Sequence, residues 1–210
     1  MRTEEFEMNR KIGIIASWVN VVAVVSFAVS MLFRFNFGSY FSSMFIAFSF
    51  VVVMCSYAFY AGKRRRVAGL VAVAFSAVYA AIILLVYFAQ LTVVQNGNLT
   101  LQAADLLDFQ KAGLMFDYDL LGYGMMALST FFAGLTIEPR GKVDKLLKSL
   151  LCIHGVFFVS CLILPIIGIF RTDTPDWIGI VVLEFWCVYF CPIGILSVLH
   201  FVNKEGGRDD

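Results

Sequence analysis

Charge is what this 210-residue chain has least of: only 15% of its residues are Asp, Glu, Lys or Arg, against roughly 25% in water-soluble domains. With 60% hydrophobic residues beside it, that scarcity leaves too little polar surface to keep a fold of this size in water. Proline is scarce too, with four in the chain, and two of them, Pro165 and Pro192, stand inside long apolar runs. The segments between those runs are too short to bury a core, so no separate soluble domain is expected. The chain has no His-x-x-x-His pair on one face, no nucleophile elbow and no phosphate-cradling glycine loop. An enzyme is therefore the less expected class. Its five cysteines lie at the depth of the apolar runs without a paired pattern in the loops, which gives no disulfide framework.

What the chain does have is six apolar runs, each long enough to cross about 30 Å of hydrocarbon. They cover about Ile12–Phe33, Phe41–Ala61, Val67–Val94, Asp119–Ile137, Ser149–Phe170 and Trp177–Val202. None alternates polar with apolar residues as a barrel strand would, and lipid offers no partner to an unpaired backbone group, so each is expected to be a helix. The fold class predicted is an all-α polytopic bundle of six transmembrane spans forming a single integral membrane domain over residues 1–210. Thirteen of the sixteen Lys and Arg residues fall on one side of that bundle, including the Lys63–Arg66 run and Arg140, Lys142, Lys145 and Lys148. Only Arg34, Lys111 and Arg171 fall on the other, so the positive-inside rule places both termini in the cytoplasm. The GKRRR turn at 62–66 reads as that topology signal, touching anionic lipid heads, and no motif supports nucleic-acid binding. Ala28-Val29-Ser30 resembles a leader-cleavage site, but the apolar run before it exceeds a leader's h-region and acidic residues precede it; we read a true span.

The longest connection, residues 95–116, holds an Asn96-Gly97 turn signal and a loosely helical stripe of Leu99, Ala103, Leu106, Leu107 and Leu114. A short helix over about 100–112, N-capped by Thr100 and lying on the outer surface, is expected. Two oppositely oriented three-span halves are topologically allowed, but no residue-level repeat supports them.

Ionisable groups within a membrane are functional-site candidates, and Glu184 is the acidic residue deepest in a run. The Leu, Ile, Val and Phe residues around it, at roughly −0.3 to −0.6 kcal/mol each, outweigh one acidic residue at about +3 kcal/mol, so insertion tolerates it. Cys187 and Cys191 share its helical face, while Trp186, Tyr189 and Phe190 cover the rest; we expect the first face to pack inward and the second to meet lipid. His154, Cys161, Pro165 and Gly168 follow one another at helical spacing in the fifth run. Pro165 frees the Cys161 carbonyl, and equal counting from the turn at RTDTPD places Glu184 beside it as a hydrogen-bond donor when protonated. The same counting sets His154 level with Ile193, too deep for Glu184, His154, Cys187 and Cys191 to converge on a metal, so no metal or cofactor is expected. Pro165 and Pro192 are the expected kinks or hinges.

FDYDLLGYG, residues 116–124, is the other suggestive stretch. Asp119, Gly122, Tyr123, Met126, Thr130 and Ala133 run down one helical face. Asp119, with Tyr87 and Gln90 near the outer end of the third run, Tyr123 below and Glu184 beneath, makes a candidate outer cavity. Asn20 and His154, nearer the cytoplasm, are secondary polar candidates that interface hydrogen bonds would equally explain.

The order of elements, with its basic second loop, outer helix and D-Y-D-L-L-G-Y-G opening the fourth span, resembles uncharacterised bacterial six-span integral membrane proteins. The resemblance implies the bacterial inner membrane and carries no activity or assigned residues. The first functional expectation is a small transporter or permease-like protein for a small molecule or ion, with membrane lipids around it. The alternative is a non-catalytic sensor, immunity or assembly protein, acting through helix faces on a second copy or another membrane protein. An intramembrane enzyme acting on lipid is the remote third, since it would need Glu184 and His154 at one depth.

Overall fold

The computed structural model describes residues 2–169 and 176–204, and within them every regular element is helical. The long helices are α1 (Arg2–Leu32), α2 (Asn36–Phe59), α3 (Arg66–Ala89), α5 (Leu114–Thr136) and α8 (Asp176–Val202). Shorter ones are α4 (Leu101–Leu107), α6 (Lys142–His154) and α7 (Phe157–Ile166). We call the end carrying residues 33–35 and 95–113 the upper end. The end carrying the basic turns at 60–65 and 137–141 is the lower end.

Five helical stretches are long and apolar enough to cross a membrane: Glu4–Leu32, Asn36–Phe59, Lys63–Val94, Lys142–Ile166 and Trp177–Val202. The shortest has 24 residues, which at 1.5 Å per residue reaches about 36 Å and exceeds the hydrocarbon thickness. Their outward faces carry large apolar side chains such as Val22, Phe41, Phe45, Leu85 and Val188. In water such a surface would drive association; in lipid it costs nothing.

Helix α5 is as long as a span but falls outside those five, because Asp117, Asp119, Ser129, Thr130 and three glycines dilute its apolar character. Packing explains the composition. Helix α3 lies along it on one side, α6 and α7 on another, and α2 touches it, so α5 is shielded where its neighbours face outward. Its predicted face holds: Asp119, Gly122, Tyr123, Met126, Thr130 and Ala133 are all buried. The remaining helices close a second layer, α1 against α2 and α8, with α8 also meeting α6.

The basic turns close the lower end with hydrogen bonds. Arg65 Nη1 donates to the carbonyls of Leu135 (2.9 Å) and Ile137 (2.8 Å), and its Nε meets Glu138 at 3.0 Å. A guanidinium there satisfies carbonyls that the end of α5 leaves unpaired. One arginine of the charge run at 62–66 thus has a structural task as well.

Several boundaries differ from the sequence expectation. The fifth run begins earlier, at Lys142, and it breaks at Gly155 between α6 and α7, where backbone bonds shorten to Gly155 N–H to Cys152 O and Val156 N–H to Ile153 O. A β-carbon on Gly155 would lie 2.8 Å from that of Phe131, so the break lets α6 press on α5. Pro165 sits in the last turn of α7 and does not kink a long helix, and Pro192 lies within the uninterrupted α8. The outer helix is shorter than expected, Leu101–Leu107, followed by a tight turn at Phe109–Lys111.

Glycines at helix crossings should control stability. At Gly69, a β-carbon would lie 2.9 Å from the Ala58 backbone of α2, whereas at Gly62 it would meet nothing. Gly69→Leu is expected to cost about 1–3 kcal/mol, read as a lower thermal midpoint in detergent, while Gly62→Ala leaves the midpoint unchanged.

Candidate functional site

Asp119 lies one turn inside α5, past the helix start at Gly113, so it does not cap the helix and its carboxyl group is enclosed by the neighbouring helices. Its exposure is 2%, and the Tyr87 hydroxyl of α3 faces it. Gly122 makes the approach possible: a β-carbon there would sit 3.0 Å from Ile83 Cδ1, so a larger residue would push α3 away. Below Asp119, Tyr123 follows one turn on and meets Tyr79 edge-to-face at 5.9 Å between ring centroids. Trp186 of α8 closes on Tyr123 at 5.2 Å.

Three polar atoms in this cluster lack hydrogen-bond partners: Asp119 Oδ1 and the hydroxyls of Tyr79 and Tyr123, on side chains at 2%, 0% and 7% exposure. Leaving one buried polar group unsatisfied costs about 1–3 kcal/mol, so three together mark a place built for something other than packing. Tyr79 was not anticipated from the sequence. It lies two turns before Tyr87 on α3, and the face running through Ile83 to Gln90 is the signal that reaches it.

Over this cluster lies a lid made of α4 and the turn that follows. Gln90 was expected to line the cavity; instead it fastens the lid. Its Nε2 donates to Leu107 O (2.8 Å) and its Oε1 accepts from Phe109 N–H (3.0 Å). Both ends of one amide are used against backbone, as in a strand pair. Phe109 then packs its ring 6.0 Å from both Tyr87 and Tyr40, and Gln110 Nε2 donates to the Tyr40 hydroxyl at 2.8 Å. Ala112, at φ 50°, turns the chain into α5, and Gly113 leaves room for Asp105 O, which a β-carbon would approach to 2.6 Å.

His154 is accounted for by its bonds. Trp186 Nε1–H, which can only donate, gives to His154 Nε2 at 3.1 Å. Nδ1 must then carry the proton, donated to Thr130 Oγ1 at 2.8 Å, and Thr130 donates onward to Ala127 O at 2.8 Å. This neutral chain ties α5, α6 and α8 together and leaves the ring no open position. Asn20 is satisfied similarly, through Ile46 O (3.3 Å) and Ser49 Oγ (2.9 Å). At the lower end His200 Nδ1 pairs with Asp144 Oδ1 at 2.8 Å, beside a cleft of about 270 Å³ that Arg140, Lys142 and Lys204 also line.

Three expectations about α8 and its neighbours are corrected. Trp186 and Phe190 point inward and are buried, while Phe185, Val188 and Val182 face outward, so the aromatic face is not the lipid face. His154 stands against Trp186, Tyr189 and Phe190 and not level with Ile193. Equal counting failed because the break at Gly155 offsets the upper part of the span. Glu184 does not reach Cys161: α7 lies along α5, bringing Cys161 to Gly124, and Glu184 Oε1 is buried without a partner above Cys187 on its own helix. Cys187 is buried and Cys191 half-buried, both as free thiols. The structure therefore unites Asp119, Tyr87 and Tyr123, adds Tyr79, assigns Gln90 to the lid and sets Glu184 beside Cys187, which neighbours Tyr123.

Comparison of the chain with family models, curated proteins and solved structures finds no match. Chemically, the cluster offers a carboxylate and hydroxyls, which hold a ligand or a proton. Among the described residues no group of three His, Cys, Asp or Glu side chains could hold a metal.

Gln90→Leu removes both bonds of the clasp while keeping the side chain's bulk. Two such bonds contribute about 2 kcal/mol, so amide exchange at Phe109 should accelerate by roughly 30-fold, measured by mass spectrometry, with α1 and α2 unaffected.

Proposed function

We propose that the protein is a small permease-like carrier of six spans, with the Asp119 cluster as its binding site and the lid over it as the outer gate. The observation that carries this reading is the set of three unpartnered polar atoms under a lid fastened by the Gln90 amide and by Gln110 on Tyr40. A purely structural bundle gains nothing from such atoms, whereas a carrier needs groups that a ligand satisfies and a cover that can release it. On this reading α5 is the sixth span. Its polarity suits a helix surrounded by others, and a sixth crossing returns the chain to its starting side. The upper end is then external, both termini are cytoplasmic and the basic turns meet the inner face of a bacterial plasma membrane.

The second reading, a non-catalytic sensor or assembly protein, draws on α7. None of its residues is buried, so it presents an apolar flank along which another membrane helix could pack in place of lipid.

Native mass spectrometry of the gently solubilised chain separates the two. A small-molecule or ion adduct on the wild type, retained by Glu184→Gln and lost in Asp119→Asn, is expected for a carrier. No Asp119-dependent adduct, with a co-purifying membrane protein lost on bulky substitution along α7, would replace the carrier by the second reading.

Topology has its own test. Reporter fusions at both termini should be fluorescent in the cytoplasm and inactive as periplasmic phosphatase; opposite results at the two ends would reduce the spans to five.

A further inference from the structure

The polar side chains around Asp119 come from α2, α3, α5 and α7, and all are hydroxyls or a thiol. They are the hydroxyls of Tyr79 and Tyr87 from α3, Tyr40 from α2 and Tyr123 from α5, with the Cys161 thiol from α7. No Lys, Arg or His is among these described neighbours. The nearest cation in the lid, Lys111, pairs with Asp105 at 3.9 Å, and both nitrogens of His154 are bonded elsewhere. In its ionised form Asp119 has one negative charge that a bound cation would balance, with hydroxyl oxygens around it to complete a shell.

We infer that the Asp119 cluster binds a small monovalent cation, with Asp119 Oδ1 as the charged ligand and the Tyr79 and Tyr123 hydroxyls as neutral ones. A calcium-like ion would require more oxygen ligands and more charge than one carboxylate brings. An anion would meet a carboxylate with no cation to answer it. The shared chemistry covers a bare alkali ion and a small primary ammonium. This inference rests on reading the cluster as the binding site, and it specifies the occupant.

The test is the thermal midpoint of the full chain in detergent, titrated with sodium, potassium, lithium or methylammonium chloride. Ionic strength is held constant with N-methylglucamine chloride, whose cation is too large for the cluster. A saturable rise with at least one small cation is expected, and which one responds distinguishes an alkali ion from an ammonium. In Asp119→Asn the half-saturating concentration should increase about tenfold or more, with a smaller increase in Tyr123→Phe. An equal response to every salt, or none, overturns the inference. Should Asp119→Asn fail to fold, Tyr79→Phe and Tyr123→Phe keep their rings and decide: unchanged half-saturation in both overturns it. This readout needs no transport. A cation shift without cation flux into vesicles would keep the site and remove the carrier. An Asp119-dependent neutral or anionic adduct without a cation shift would keep the carrier and remove this occupant.

Discussion

The packing of α5 against α3 is the contact on which the rest of this structure depends. Helix α5 carries two aspartates, a serine, threonines and three glycines within 23 residues, a composition that hydrocarbon disfavours along a lipid-facing side. It is accommodated because neighbours enclose it. Gly122 admits Ile83 of α3, Gly134 admits Leu151 and Cys152 of α6, and Gly124 admits Cys161 and Phe158 of α7. Polar groups on the enclosed faces then find partners in those helices: Ser129 Oγ bonds Ala72 O at 2.7 Å, and Thr130 bonds the His154 ring.

The exceptions to that satisfaction are concentrated and so become informative. Where Thr130, His154 and Trp186 form a closed chain of donors and acceptors, about two to three turns higher Asp119, Tyr123 and Tyr79 do not. Helix α5 carries both arrangements, the lower one completed by α6 and α8 and the upper one by α3. The upper cluster is also where the lid is clasped by Gln90, at the start of a widened π turn spanning Gln90–Val94, and by Gln110 on Tyr40. A widened turn ends α3 with weaker backbone bonding than a regular helix provides, and such turns recur near functional positions. Unsatisfied groups, an irregular helix end and a lid thus coincide at one end of the bundle.

Helices α7 and α8 illustrate how a plausible local argument fails. Pro165 does free a carbonyl, and Glu184 does stand where a straight antiparallel hairpin would bring it opposite. The break at Gly155 redirects α7 onto α5, however, so the hairpin never forms in that register. Glu184 remains half-buried with one oxygen unpartnered, beside Cys187 on its own helix.

How much was legible in advance follows from the range of the forces involved. Apolar runs, their helical nature and the charge asymmetry are properties of consecutive residues, since each segment must satisfy its own backbone in lipid. The buried face of α5 from Asp119 to Ala133 was legible for the same reason, because helical period is local. Which faces meet was not, because it depends on contacts between residues far apart in the chain. Contacts of Trp186 with Tyr123 and His154, and of Phe190 with Phe50 and His154, hold that pair inward, against the reading of bulky aromatics as lipid-facing. Gln90 looked like a ligand because it is polar and near Tyr87; only the returning lid shows that its amide is already used. The sequence by itself determined a set of helices, several long and apolar enough to cross a membrane, and a carboxylate on the buried face of α5. Tertiary structure decided that this carboxylate meets tyrosines from α3 while the histidine and the second acid go elsewhere, because glycine-sized gaps and one helix break set which faces can approach.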